Sequence, residues 1–317
     1  MIRTAAVVGA VAVGVTACSG SGDPAEYPQE NITVVVPVPA GSSTDLSTRI
    51  VTPCLEEELD TSIQVENREG GSGAVGNTYF SQSEPDGYTL VSTTAANAVL
   101  PPLLEDSVEF DADSFRPVGT IGQAPIVMVA REGEYDSAEE LLTSAEGSRT
   151  VVGVPGATSV PAIVVDGLIA THDVGVETVP FDGNGNTLQA LRAGDVDAIF
   201  VSADSGVTLP ALEEGGVEAL ATAVTEPAPH LPDVPTLDSL GYSDLPYADS
   251  FWFLATQPDT PDEIANTLES AMQTCMSDSD VQDQLGEGVA PPEFVGAEET
   301  NERLHEAAES YAEVAGD

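Results

Sequence analysis

Two periodicities alternate along this chain. Short β-rich apolar runs occur at Ile32–Val36, Ile63–Val65, Thr89–Val91, Pro117–Ile121, Ile126–Ala130, Thr150–Val154, Glu177–Pro180, Ala198–Val201 and Ala219–Ala223. Runs of helical period separate them at Asp45–Glu58, Ala74–Ser83, Ala138–Ser144, Pro161–Thr171, Thr187–Ala193 and Leu209–Glu214. Strands that alternate with helices predict α/β architecture with mainly parallel sheets. The C-terminal part reads as helical. Thr260-Pro261-Asp262-Glu263 is a helix start, with proline in the first turn and acids beside it, and a second helix is predicted over Ala297–Val314. No tandem repeat is present.

The stretch Ile32 to Asp45, ITVVVPVPAGSSTD, carries the most chemistry. The β-branched run stops at Pro37, passes a loop of small residues and enters the first helix, with Leu46, Arg49, Ile50 and Leu55 at helical spacing. A small-residue loop lets a ligand approach the backbone, and the first N–H groups of a helix have no partner within it. The pattern therefore fits an anion cradle, and it fits equally an ordinary strand-to-helix turn.

The first seventeen residues, MIRTAAVVGAVAVGVTA, read as a secretory signal, too short for a spanning helix. They end in Val15-Thr16-Ala17-Cys18, which resembles a bacterial lipobox and implies cleavage before Cys18 and lipid on its thiol. Residues 18–30 then form the lipidated cysteine and a flexible tether. No later run approaches the ~20 apolar residues of a transmembrane helix. The expected location is extracytoplasmic, lipid-anchored at the outer face of the cell membrane. Cys54 and Cys275 remain, and two thiols in an oxidising compartment suggest one disulfide, with two separate buried thiols as the alternative.

Charge narrows the partners. The chain has 8 arginines, no lysine and 54 acids, a formal net charge of −46. Only Arg3 leaves with the signal, so the mature balance is 7 against 54, or −47. Such a surface argues against nucleic acid and against a polybasic membrane contact. With 41% hydrophobic residues the chain is not disordered. The acidity suits high-salt or alkaline surroundings, since salt near ~1 M shortens the screening length to about 3 Å. About 287 residues follow the tether, enough for two domains.

A set of motifs, in order, resembles the solute-binding receptors of tripartite tricarboxylate transporters, also called Bug-type receptors. ITVVVPVPAGSSTDLSTRIV is similar to the family's strand, Pro-x-x-Ala-Gly-Gly-x-x-Asp loop and first helix. Val65 to Gly73, VENREGGSG, follows its V-x-N-x-x-G-A-G-G, and Pro85 to Leu90 matches its P-D-G-Y-T-L. Phe181 to Asn186 with Gly194 to Ala198 resembles its Y-x-G-x-x-P…L-x-x-G-x-V-D segment. Pro229 to Pro235 resembles its P-D-V-P-T, and Phe251-Trp252 with Pro258 to Pro261 its W-x-G…P-x-G-T-P. Three departures lie in the ligand loops: Ser42 replaces the second loop glycine, Pro39 a small residue, and the Gly-Ser-x-x-His type loop appears at Pro155–Ala162 without its histidine.

The resemblance implies a type II-like periplasmic-binding-protein clamshell, each lobe a mainly parallel sheet flanked by helices. Lobe 1 is expected over residues 31–128 plus 250–317 and lobe 2 over 129–249. A small carboxylate would sit between them, held by backbone amides, hydroxyls and water. The first lobe would supply Pro39, Ala40, Gly41, Ser42, Ser43 and Thr44, and the second Gly156, Ala157, Thr158 and Ser159. Ser92, Thr94 and Asn97 follow a strand end and line the cleft or serve as caps. Phe181, Asp182 and Gly183 close over the ligand or form a turn. Arg49 is expected to pair with Asp45, and Arg68 and Arg192 to be structural. No cofactor or metal is implied. Partners would be the small and large membrane subunits of a tripartite permease, reached by a monomer that closes on its ligand. A sensor kinase would use the same clamshell. A hydrolase is the remaining class, but Gly70-Gly71-Ser72-Gly73-Ala74 lacks the final glycine of a nucleophile elbow. His172, His230 and His305 stand in no triad or metal spacing.

Overall fold

The computed structural model describes residues 27–144, 150–157, 159–203, 206–224, 227–228, 230–243, 245, 249–286 and 288–315. The leader, Cys18, the tether to residue 26 and Thr158 lie outside the described residues. Strands and helices follow in order as β1 (Ile32–Val36), α1 (Ser43–Leu59), β2 (Ile63–Asn67), α2 (Ala74–Ser81), β3 (Thr89–Thr94), α3 (Ala95–Leu104) and β4 (Arg116–Arg131). Then come α4 (Ala138–Ser144), β5 (Thr150–Val154), α5 (Val160–His172), β6 (Val176–Pro180), α6 (Gly183–Ala193), β7 (Ala198–Ser202), α7 (Thr208–Glu214) and β8 (Val217–Thr222). The chain ends with β9 (Asp249–Thr256), α8 (Asp262–Met276), α9 (Ser279–Leu285) and α10 (Ala297–Ala315).

The strands form a curled mixed sheet in the order β2-β1-β3-β9-β4-β7-β5-β6, with β8 also paired to β4. Parallel pairing holds at the outer strands of each lobe: β1 with β2 and β3, and β5 with β6 and β7. The pairs made by β9 and β4 are antiparallel. They depart from the parallel expectation because these two strands cross between lobes instead of belonging to a strand–helix–strand unit. β4 is one strand of 16 residues where the sequence suggests two. Its glycines and prolines read as breaks, yet they sit at irregularities that the sheet tolerates. Register shifts near Gly119 and Gly122 leave the amides of Thr120 and Gln123 bonded to the carbonyls of Val295 and Val289, at 3.0 and 2.9 Å. α3 and β9 escape the sequence pattern, the first because Pro101 and Pro102 lie inside it.

Three apolar clusters hold the molecule. One contains Val51, Leu55 and Leu59 of α1 with Leu268, Met272 and Cys275 of α8, against Val34, Val36 and Leu90. A second joins Val127, Val129, Ile199 and Val201 to Leu188 and Leu191 of α6. The third crosses between lobes, from Val35, Val91, Phe251 and Phe253 to Val152, Val154, Val164 and Leu168, with Leu304, Ala307 and Tyr311 of α10. Two of the clusters thus each stay with one group of strands, and the third bridges the two groups.

A disulfide joins Cys54 of α1 to Cys275 of α8, with Cα atoms 5.7 Å apart. Within the segment expected as a tether, residues 27–29 pack on the body. The Tyr27 hydroxyl donates to the Gly87 carbonyl at 2.7 Å, its ring lies 5.2 Å from that of Tyr88, and the Gln29 amide donates to the Tyr88 hydroxyl. No helix among the described residues is long and apolar enough to cross a membrane.

Candidate functional site

Strand directions set the site. β3 runs parallel to the first half of β4, because both lie antiparallel to β9. Its last residue, Thr94, is level with Trp252 and hence with Gly122. β7 runs against the second half of β4, so its end, Ser202, pairs with Ile126. The C-terminal ends of β1 and β3 therefore face those of β5 and β7 across the span Gly122–Ile126. Four residues at the usual strand rise make that span roughly 13 Å. The loops that precede α1, α3, α5 and α6 all emerge at these facing edges, where ligands of open α/β sheets bind.

The first loop is a tight turn. The Ser42 amide donates to the Pro39 carbonyl at 3.2 Å, and Gly41 has φ +86°. That value at the third position suits a type II turn and demands glycine or nearly so. Ser42 has extended backbone, φ −69° and ψ 161°, so no glycine is required there. It acts as the N-cap, its hydroxyl accepting from the Asp45 amide at 3.4 Å. α1 begins at Ser43, two residues before the sequence pattern suggests.

Asp45 organises this loop. Its carboxylate is 3% exposed and accepts from the Gly41 amide at 2.8 Å, from Asn67 Nδ2 at 2.8 Å and from Arg49 Nε at 3.0 Å. Arg49 also donates to Asn67 Oδ1 at 2.9 Å, and Asn67 Nδ2 to the Val38 carbonyl at 3.1 Å. Burial alone would raise this carboxyl, but the bonds from Arg49, Gly41 and Asn67 outweigh it and hold Asp45 below the usual carboxylate range. The Gly41 and Ser42 amides and the Ser42 hydroxyl are thus committed within the loop. Among the described residues the Ser43 and Thr44 amides take no partner.

The second loop is simpler. Gly156 has φ +133°, and its carbonyl accepts from the Ser159 hydroxyl at 2.8 Å. Ser159 caps α5 by accepting from the Ala162 amide at 3.4 Å. Pro161 in the first turn removes one donor. Ala157 lies exposed on this loop. Beside it, Phe181 is half-buried and continues the ladder, donating its amide to Val154. Asp182 and Gly183 are exposed at the start of α6, where Asp182 makes no side-chain cap.

The residues expected after β3 divide. Ser92 and Thr94 belong to the strand itself. Ser92 is fully buried beneath α1, its hydroxyl 2.7 Å from that of Thr48, so it does not line the cleft. Thr94 caps α3 by accepting from the Asn97 amide at 3.0 Å. Asn97 packs on Gly73, where an added Cβ would sit 2.8 Å from the asparagine Cβ. Sequence reasoning assigned no site role to Asn67 or to the turn at Gly70–Gly73. The only available signal was their place in the VENREGGSG motif.

The described arginines outside this loop have partners of their own. Arg68 lies over the Tyr79 ring at 3.5 Å and pairs with Glu66, and Arg192 reaches Glu214 at 3.5 Å. Arg116 pairs with Asp262 and Arg131 with Glu134, while Arg303 bonds Gln123 on the crossing strand. Among the described residues no cluster of His, Cys, Asp and Glu could hold a metal ion. The facing loops offer amides and hydroxyls, which is chemistry for binding.

Known proteins agree with this geometry. Residues 47–310 match the family model described as tripartite tricarboxylate transporter family receptor. The chain is 28% identical over 264 residues to protein BugT of Bordetella pertussis, covering 81% of this chain and 79% of that one. It resembles MatC from Rhodopseudomonas palustris, solved with bound malate, at 28% identity and TM-score 0.75, covering 91% of this chain and 100% of that one. A TctC solute-binding protein from Polaromonas shares the fold at TM-score 0.79 and 23% identity, with 92% and 99% covered. These receptors are extracytoplasmic solute-binding proteins and not enzymes. The two-lobed α/β chain with its facing strand ends belongs to the tripartite tricarboxylate transporter receptor family.

Proposed function

We propose that this receptor captures a small carboxylate between its lobes and delivers it to the small and large membrane subunits of a tripartite permease. The observation that carries the reading is the pair of strand–loop–helix turns at Pro39–Thr44 and Gly156–Ser159, which face each other across the crossing strand. Each opens a helix of more than ten residues, and neither loop carries a cationic residue. A ligand that bridges both loops favours the closed form, because only closure satisfies both ends. A dicarboxylate fits such a two-ended grip, and the likeness to a malate-bound relative supports that class. Neutral donors suit this body, since each helix start contributes about 0.3–1 kcal/mol toward an anion that the acidic surface repels.

The lobes of this reading are residues 31–128 plus 250–317 and residues 129–249. Their support is the change in β4's partners, from β9 up to Pro125 to β7 from Ile126. The protein is further proposed to be a monomer held at the outer membrane face by lipid on Cys18. Metabolic labelling with a fatty-acid analogue, compared between the native chain and Cys18→Ala, tests the anchor.

The test of function is calorimetric titration with malate, other dicarboxylates and tricarboxylates in high salt, paired with small-angle scattering. Saturable binding of a carboxylate together with a smaller radius of gyration is the expected result. Binding confined to neutral or cationic compounds, or unchanged dimensions at saturation, overturns it.

A further inference from the structure

We propose that Asp45 sets the anion specificity of the first loop: its buried carboxylate occupies the Gly41 amide and Arg49, so the loop admits one planar, singly charged carboxylate head and rejects a tetrahedral head that carries two charges, such as sulfate. This inference rests on the first loop being a ligand loop.

A bare strand–loop–helix turn with an arginine on its first helix is a general anion trap. Its amides and the helix dipole attract any oxyanion, and arginine binds sulfate and phosphate in a bidentate fork. Here that capacity is already taken. Asp45 draws the Gly41 amide, Arg49 and Asn67 onto its two oxygens at 2.8–3.1 Å. Arg49 also donates to Asn67 Oδ1 at 2.9 Å. The carboxylate is 3% exposed while the guanidinium is 46% exposed, so the charge that cannot move is the negative one.

Two amides remain at the start of α1, those of Ser43 and Thr44. Two adjacent donors match the two oxygens of a carboxylate and leave the other oxygens of a sulfate without partners. A ligand on these amides also lies beside the fixed carboxylate. At equal distance, a head that carries two charges, as sulfate does, is repelled by Asp45 twice as strongly as a single carboxylate head. Arg49 cannot offset this without abandoning Asp45. The device therefore discriminates by charge as well as by shape, which is specificity through an unfavourable term for the wrong ligand.

The experiment titrates sulfate into the native chain, Asp45→Asn, Arg49→Met and the double variant, at constant ionic strength set with sodium chloride. Circular dichroism and melting temperature establish that each is folded. Asp45→Ser, which removes the same charge with a smaller side chain, stands in if Asp45→Asn does not fold. The expected result is no saturable sulfate binding by the native chain, binding at least about tenfold tighter by Asp45→Asn, and loss of that gain in the double variant. Arg49→Met alone stays blind to sulfate. The inference is overturned if the native chain binds sulfate saturably, if Asp45→Asn gains nothing, or if the double variant binds like the single one. Malate titrated into the native chain is a separate arm. Its failure counts against the carboxylate function and leaves the sulfate comparison readable.

Discussion

Around the first loop a buried carboxylate gathers an amide, an amide side chain and a guanidinium from three parts of lobe 1. Around the second loop, among the described residues, the side chain that bonds the turn is Ser159, reaching a carbonyl three residues back. The helices behind them differ as well. α1 is bound covalently to α8 through Cys54 and Cys275, whereas α5 is held by apolar contacts of Val164, Val165 and Leu168. One side of the grip is thus preorganised by long-range bonds and the other by local ones. On the proposed grip, binding is expected to order the second loop more than the first.

The largest test of this contrast is the disulfide. It closes a loop of 221 residues between the first helix and α8. Replacing both cysteines by serine is expected to cost about 2–4 kcal/mol, a fall of roughly 5–15 °C in melting temperature for lobes of this size. Calorimetry should show the loss in whichever transition includes α1. If the loss is confined to a transition of lobe 2, the assignment of rigidity to lobe 1 fails.

Next come the two loops themselves. Asn67→Ala removes the link between Val38 and Asp45 and leaves the carboxylate short of a donor, at about 1–2 kcal/mol. Ser159→Ala removes one cap and one turn bond, at about 1 kcal/mol. Both should weaken carboxylate binding. Ser159→Ala should act mainly through slower closure and faster release if lobe 2 is the adjustable side. Stopped-flow measurement of on- and off-rates separates the two.

Acid separates the loops by charge. Asp45 has a folded-state value below the ordinary one near ~3.9. Its stabilisation is present above the unfolded value and is lost as pH falls through the folded one. The difference in stability between the native chain and Asp45→Asn should therefore be full at neutral pH and shrink toward zero in strong acid. The difference between native and Ser159→Ala should stay constant, since among the described residues no ionisable side chain bonds that turn. Melting curves from neutral pH downward check both.

How much of this was legible in the sequence follows the range of the interactions. Local patterns were readable: the run Ile32–Val36, the helix after it, Thr150–Val154 and α10 depend on periodicity over a few residues. The pair Asp45–Arg49 was readable as i,i+4 spacing, but as a surface contact. Its burial depends on Asn67, which lies 22 residues away and reaches Asp45 only because β2 pairs beside β1. β4 was split in two because Gly119, Gly122 and Pro125 look like breaks, and the carbonyls that satisfy Thr120 and Gln123 come from the far C-terminal segment. Ser92 escapes a reading from sequence for the same reason. Its partner, Thr48, is on α1, and nothing near Ser92 in the chain signals that contact.

The smallest effect concerns Ser42, the cap of α1. Its backbone is extended, so glycine relieves no strain there, and the bond from its hydroxyl to the Asp45 amide is long at 3.4 Å. Glycine at an N-cap costs only a few tenths of a kcal/mol relative to serine. Ser42→Gly should therefore change stability by less than about 0.5 kcal/mol, because Asp45 and not Ser42 holds the loop. A loss above about 1 kcal/mol in denaturant melts would mean that the cap carries the first loop as Ser159 carries the second, and the contrast between the loops would disappear.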